Sequence, residues 1–428
     1  MGLFDIISVL VVLAALFSYI NHRYFGLPRT IGLMALSLIV SLSLLVLGSF
    51  GVVTLDEQVA GILKRLDFYD TLMHGMLGFL LFAGALHVNF QDLREMGWTI
   101  SLLATFGVIV STVLVGFFTW GILILLGMEI SLLYCFLFGA LISPTDPIAV
   151  LGILKKANAP KQLETKITGE SLFNDGIGVV VFLTLLSFAQ GGGHANEPID
   201  IIKLLAVETG GGILYGIGLG YLAYILIKRV DNYHVEILLT LATVMGGYRL
   251  AELIHVSAPL AIVVAGLMVG NHGRYLGMSD LTRERLDNFW ELVDEILNAV
   301  LFVLIGLELL VISHTLNMAA AGLLLIPCVL LARYISVGSV INLMRRFSDI
   351  PRGSVRIMTW AGLRGGISVA LALSLPYGPE RDLLVTITYC VMTFSILVQG
   401  LTVGRVVKRF SSTLPDAEHQ STFHGEKD

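Results

Sequence analysis

The chain has 428 residues, of which 56% are apolar and 14% charged, with a formal net charge of −5. A soluble domain carries about 25% charged residues, so an ordinary soluble enzyme is excluded, and the mean hydropathy of +0.84 points to a membrane domain. Neither a nucleic-acid nor a nucleotide partner is expected. Cys135, Cys328 and Cys390 fall inside apolar runs without CxxC or Cys/His spacing, so neither a disulfide framework nor a resident metal or cofactor is expected.

A spanning helix needs about 20 mostly apolar residues, and such stretches recur from end to end. Thirteen segments are predicted: 3–20, 28–48, 70–88, 97–126, 132–154, 167–190, 201–227, 235–255, 258–270, 290–313, 318–343, 354–375 and 383–404. The first has no basic leader and no small-residue cleavage site, so it reads as a span rather than a removed signal. Residues 56–67 form an amphipathic or loop element. His87 and Asn89 end the third segment as interfacial residues. Gly191-Gly192-Gly193-His194 is a flexible loop. Glu208 lies in the seventh segment. Arg249 and Glu252, three apart in the eighth, are expected to pair. The short ninth segment reads as a tilted or partial helix. Arg283-Glu284-Arg285 is a solvated face. Glu308 and Arg333 are candidates to pair across segments 10 and 11. Residues 1–410 therefore form a single transport domain, and 411–428 a short tail.

Alternate loops differ in basic content. The loops after odd-numbered segments, with the tail, hold 20 of the 27 Lys and Arg residues. The positive-inside rule then puts the N-terminus outside and the C-terminus in the cytoplasm, with the chain in the cell (inner) membrane and in contact with its lipids.

Two segments are interrupted. Segment 5 contains Ser143-Pro144-Thr145-Asp146-Pro147, and segment 12 contains Gly362-Leu363-Arg364-Gly365-Gly366. Proline removes a backbone donor, and each glycine weakens a helix by about 1 kcal/mol. The breaks lie seven segments apart, in spans of opposite direction. Inverted six-helix repeats joined by one extra helix would produce that spacing, and paired interrupted helices mark the binding site of secondary transporters. Asp146 followed by Pro147 reads as an N-cap and a first helical residue, with the positive dipole end of the second half-helix near Asp146.

Segment 6 opens Gly169-Glu170-Ser171-Leu172-Phe173-Asn174-Asp175-Gly176. Glu170, Ser171, Asn174 and Asp175 project at roughly 0°, 100°, 40° and 140°, on one face. A charge near mid-membrane costs about 2.5–3.5 kcal/mol, so each carboxylate needs a partner, a proton or a cation. Arg364 is the expected partner of Glu170, which leaves Asp175 to bind H⁺ or a small hard cation, but not both. Oxygen ligands suit such an ion: the Asp175 carboxylate, the Ser171 and Thr145 hydroxyls, and carbonyls freed where segment 5 unwinds. If the empty carboxylate cannot cross, competition at Asp175 is itself an exchange mechanism.

These residues resemble the cation/proton antiporter-1 family, the group of the archaeal and bacterial NhaP antiporters and the eukaryotic sodium/proton exchangers. The resemblance runs along most of the chain: Phe79 to His87, Gly139 to Pro147, Gly169 to Gly176, Asn298 to Glu308, and Trp360 to Gly366. The pairing of Thr-Asp-Pro with Glu-Ser-x-x-Asn-Asp in neighbouring spans is its most specific part. The resemblance implies an all-α membrane protein of thirteen helices with two crossed discontinuous helices, the NhaA-like antiporter fold. It also implies a homodimer in which an ion-carrying bundle moves beside a dimerising scaffold. By motif, Asp175 is the ion- and proton-binding carboxylate, Ser171 and the Thr145 backbone supply ligands, and Asp146 acts nearby. Asn174 and Glu170 organise the site, with Arg364 paired to Glu170. Asn174 resembles the electroneutral one-for-one exchangers, whereas electrogenic relatives carry Asp there. One departure is Ala83, where many relatives have Glu.

The leading expectation is therefore sodium (or lithium)/proton antiport, with potassium/proton or mixed alkali-cation exchange as the alternative. An intramembrane protease is the remote alternative, suggested by Tyr69-Asp70 and by Ser171 as a nucleophile. It lacks a Gly-x-Gly-Asp motif and a histidine placed as a base for Ser171.

Overall fold

The computed structural model describes residues 3–49, 68–156, 159–190, 198–273, 279–310, 316–347, 350 and 353–411. The predicted element at 56–67, the loop at 191–194, Arg352 and the tail beyond 411 lie outside the described residues. Among those described, helices are the regular structure and no strand occurs. In hydrocarbon every N–H and C=O needs an internal partner, and a helix supplies one within its own segment.

The helices are α1 (Leu3–Ile20), α2 (Arg29–Ser49), α3 (Phe68–Gly75), α4 (Leu77–Leu86), α5 (Phe90–Glu95), α6 (Gly97–Ala104), α7 (Phe106–Leu125), α8 (Leu132–Ile142), α9 (Ile148–Lys156) and α10 (Lys161–Ala189). They continue as α11 (Pro198–Lys228), α12 (Tyr233–Leu253), α13 (Ala258–Met268), α14 (Asp280–Glu308), α15 (Leu316–Met344), α16 (Ser354–Ala361), α17 (Gly366–Leu373), α18 (Pro379–Phe394) and α19 (Gly400–Ser411). Helical residues fall in each of the thirteen predicted ranges. Among the described residues, eight helical stretches are long and apolar enough to cross a membrane.

The helices pack in two groups. In one, α10 lies against α6 and α8, and α15 lies against α6, α7 and α18. In the other, α14 lies against α1 and α2, α11 against α12 and α13, and α4 against α13 and α14.

Both predicted breaks are real. Segment 5 divides into α8 and α9, and segment 12 into α16 and α17. The breaks meet in the first group, where the Asp146 N–H donates to the Leu363 carbonyl at 2.8 Å. Glycine makes the approach possible: a Cβ on Gly365 would lie 2.8 Å from Cβ of Asp146, and one on Gly178 of α10 would lie 2.4 Å from Cγ of Pro144. The second half-helix starts one residue later than the sequence suggests. Leu151 N donates to the Pro147 carbonyl at 2.8 Å, so Pro147 occupies the capping position and Asp146 stands just ahead of it, because the N-cap carbonyl accepts the first intrahelical bond.

A larger side chain at Gly178 should push the first break away from α10. Gly178→Leu is expected to lower stability by about 1–3 kcal/mol, the usual cost of overpacking. Gly246→Leu, where a Cβ meets nothing within 4 Å, should cost much less. Thermal unfolding of the two variants in detergent checks this.

Candidate ion-binding site

The site is built where α10 passes the two breaks. Glu170, Ser171, Asn174 and Asp175 share a face of α10, and all four are buried. Asn174 reads the first break through both ends of its amide. Its Oδ1 accepts from Thr145 N–H at 3.3 Å, and its Nδ2 donates to Thr145 Oγ1 at 3.0 Å. Thr145 Oγ1 also lies 2.9 Å from Ser171 Oγ. The motif residues Thr145, Ser171 and Asn174 thus form one hydrogen-bonded unit between α10 and the break. Asp175 follows Ser171 by four residues, one turn along the same face. It is 8% exposed, and Asp146, which is half-buried, lies within Coulombic reach of it.

The arginine assignments differ from the sequence expectation. Glu170 pairs with Arg333 of α15, whose Nη1 donates to Glu170 Oε1 at 2.5 Å. Arg364 instead donates through Nη1 to the carbonyls of Ser143 at 2.7 Å and Pro144 at 3.0 Å. The reason is the break itself. The last carbonyls of a helix have no intrahelical donor, and Pro144 and Pro147 supply no N–H. Arg364, set in the opposing break, is the donor within reach, and its positive charge suits the negative end of the α8 dipole. Its own N–H donates to Ser395 Oγ at 3.1 Å, and Gln399 Nε2 donates to the Trp360 carbonyl at 3.1 Å near the end of α16. Both partners lie in the π-helical turn Ser395–Gln399. Arg333 was legible as a lone cation in an apolar segment but was assigned to Glu308. Glu308 instead lies within Coulombic reach of Arg381.

Other predicted residues are peripheral. Arg249 pairs with Glu252 at 2.9 Å as expected, and Glu252 also meets His74 at 2.8 Å. Asn89 caps α5 by accepting from Gln91 N–H at 2.8 Å. Glu208 gives its backbone carbonyl to Ser257 N–H.

A cavity of about 780 Å³ opens between the two helix groups beside this site. One wall carries Pro147, Thr168 and Leu172; the other carries Ala83, His87, Asp294 and Asn298. Sequence reasoning did not single out Asp294.

The family model for "Sodium/hydrogen exchanger, transmembrane" matches residues 11–409. The chain belongs to this family. It is 50% identical over 415 residues to the Na⁺/H⁺ antiporter NhaP of Pseudomonas aeruginosa, covering 96% of this chain and 98% of that one. It is 34% identical to the Na⁺/H⁺ antiporter NhaH of Halobacillus dabanensis, covering 85% and 89%. Its fold is that of the sodium proton antiporter MjNhaP1 from Methanocaldococcus jannaschii, with a TM-score of 0.74 at 20% identity over 96% of this chain and 99% of that one. The chain is thus an all-helical transporter of the NhaA-like fold rather than an enzyme.

Removing one arginine at a time separates the two roles. Arg333→Ala strands a buried carboxylate and should cost about 3–5 kcal/mol. Arg364→Ala strands two carbonyls and should cost about 1–3 kcal/mol for each group left unsatisfied. Glu170→Gln/Arg333→Gln should recover much of the first loss. Thermal midpoints of the purified variants check whether the double substitution is more stable than Arg333→Ala alone.

Proposed function

We propose that the chain is a secondary active antiporter that exchanges one Na⁺ for one H⁺ by competition at Asp175. The observation that carries this reading is the charge balance of the buried site. Glu170, Asp175 and Asp146 are acidic, and Arg333 and Arg364 are basic. Glu170 is neutralised by Arg333, and Arg364 faces carbonyl dipoles. The five groups together leave one negative charge, which either one Na⁺ or one H⁺ cancels. A buried site moves only when its net charge is compensated, because an uncompensated charge in low dielectric is strongly unfavourable. One charge crosses in each direction, so the cycle is electroneutral.

Asn174 supports that stoichiometry. Its amide serves both as donor and as acceptor to Thr145 without adding a second exchanging carboxylate. Asp175, Ser171 and Thr145 supply the oxygen ligands, and Asp146 tunes the field from the first break. That the relatives are named Na⁺/H⁺ antiporters favours Na⁺ over the potassium alternative; Li⁺ would use the same hard oxygen donors. The helix group holding both breaks is the ion-carrying bundle, and the group of α1, α2, α4 and α11–α14 is the scaffold through which a homodimer would form. The basic loops favour a cavity on the cytoplasmic side of the cell membrane, with the N-terminus outside and the C-terminus inside.

Liposomes with an imposed pH gradient test the reading. Na⁺ should collapse the gradient whether or not the membrane potential is clamped, and Asp175→Ala should abolish the collapse. Because H⁺ and Na⁺ compete for one carboxylate, falling pH should raise the apparent KM for Na⁺. By mass action the rise approaches about tenfold per pH unit once the site is mostly protonated, while Vmax changes little. Exchange that follows the potential, or survives loss of Asp175, contradicts the mechanism.

A further inference from the structure

We propose that Asp294, with the amide oxygen of Asn298, forms a cation-receiving site in the cavity that serves Asp175 from the cytoplasmic side. The inference rests on the assignment of Asp175 above and adds a residue to the same route.

Asp294 and Asn298 are one turn apart on α14, and both line the 780 Å³ cavity. Asn298 Nδ2 donates to the Asp294 backbone carbonyl at 2.9 Å and to Asp294 Oδ1 at 3.1 Å. This clamp holds the carboxylate in place. Both bonds use Nδ2. That leaves the Asn298 Oδ1 as the acceptor this side chain offers to the cavity it lines. A hard cation in the cavity would satisfy it, since amide and carboxylate oxygens are the ligands such ions take.

The surroundings favour Asp294 over its acidic neighbours. Glu295 is engaged by Arg29 in an ion pair, and Glu291 is exposed. Across the cavity, α4 presents Ala83 and Gly84, which offer no side-chain oxygen. Asp146 lies within Coulombic reach of Asp294 as well as of Asp175, so a cation held by Asp294 is already on the path inward. Neighbouring carboxylates repel, and a bound cation relieves that repulsion. Asp294 thus supplies, from α14, an acceptor that position 83 lacks.

The test is pH-gradient-driven Na⁺ exchange in liposomes, resolved into KM and Vmax. Asp294→Asn should raise the apparent KM for Na⁺ about tenfold, in the range seen when a residue supporting a metal ligand is removed, with Vmax within about twofold. Asn298→Ala keeps the charge but removes the clamp and the amide oxygen, and should raise KM about threefold, by the same reasoning. An unchanged KM in both variants overturns the proposal. So does a fall in Vmax alone, which would mark Asp294 as structural. Size-exclusion chromatography checks folding, and if Asp294→Asn does not fold, Asn298→Ala is judged by the same criterion. Asp175→Asn separates the two levels. Residual exchange there overturns the underlying site, whereas its loss with an unaltered KM in the α14 variants overturns only the role of Asp294.

Discussion

Backbone groups at membrane depth must find partners within the protein, and the two broken helices meet that demand by serving each other. The first break frees the carbonyls of Ser143 and Pro144 and surrounds them with prolines that carry no N–H. The second break supplies Arg364 to those carbonyls and accepts the Asp146 N–H on Leu363. Neither break is tolerable alone. Placed together, they form a fixed polar centre in an apolar molecule, and α10 is threaded past it by the absence of a side chain at Gly178.

That centre explains why the motif residues hold different tasks. Asn174 and Ser171 bind Thr145, so the position of α10 against the first break is set by hydrogen bonds rather than by apolar packing alone. Glu170 and Arg333 are one buried pair, which ties α10 to α15 and removes Glu170 from ion exchange. Among the described residues, Asp146 is the carboxylate in Coulombic reach of Asp175, and a cavity lies close by. One chain of polar contacts thus joins α10 to the first break and to α15.

The cavity follows from the same division of the molecule. It opens at the seam between the helix group that holds the breaks and the group that holds α4 and α14. A seam is where the groups can shift without breaking the crossed helices. Glu291, Asp294 and Glu295 of α14 line this seam.

Much of this was legible in the linear chain. Apolar runs of spanning length, the proline and glycine breaks, and two carboxylates on one helical face are local patterns, and local patterns report helices, interruptions and the face a residue occupies. The membrane class, the two discontinuous helices and the identity of Asp175, Asn174, Ser171 and Thr145 as a group came from them. Partners did not. Arg333 and Arg364 are both lone cations in apolar segments, and spacing cannot say which meets Glu170, because the answer depends on how α15 and the second break lie across α10. Asp294 was hidden for a related reason. It sits among Glu291 and Glu295 in a charged stretch that reads as solvated surface, and only the packing of α14 against α4 turns that stretch toward the cavity. The sequence by itself determined which residues could carry charge into the membrane. The tertiary structure decided which of those charges cancel, because a buried charge is defined by what lies across from it.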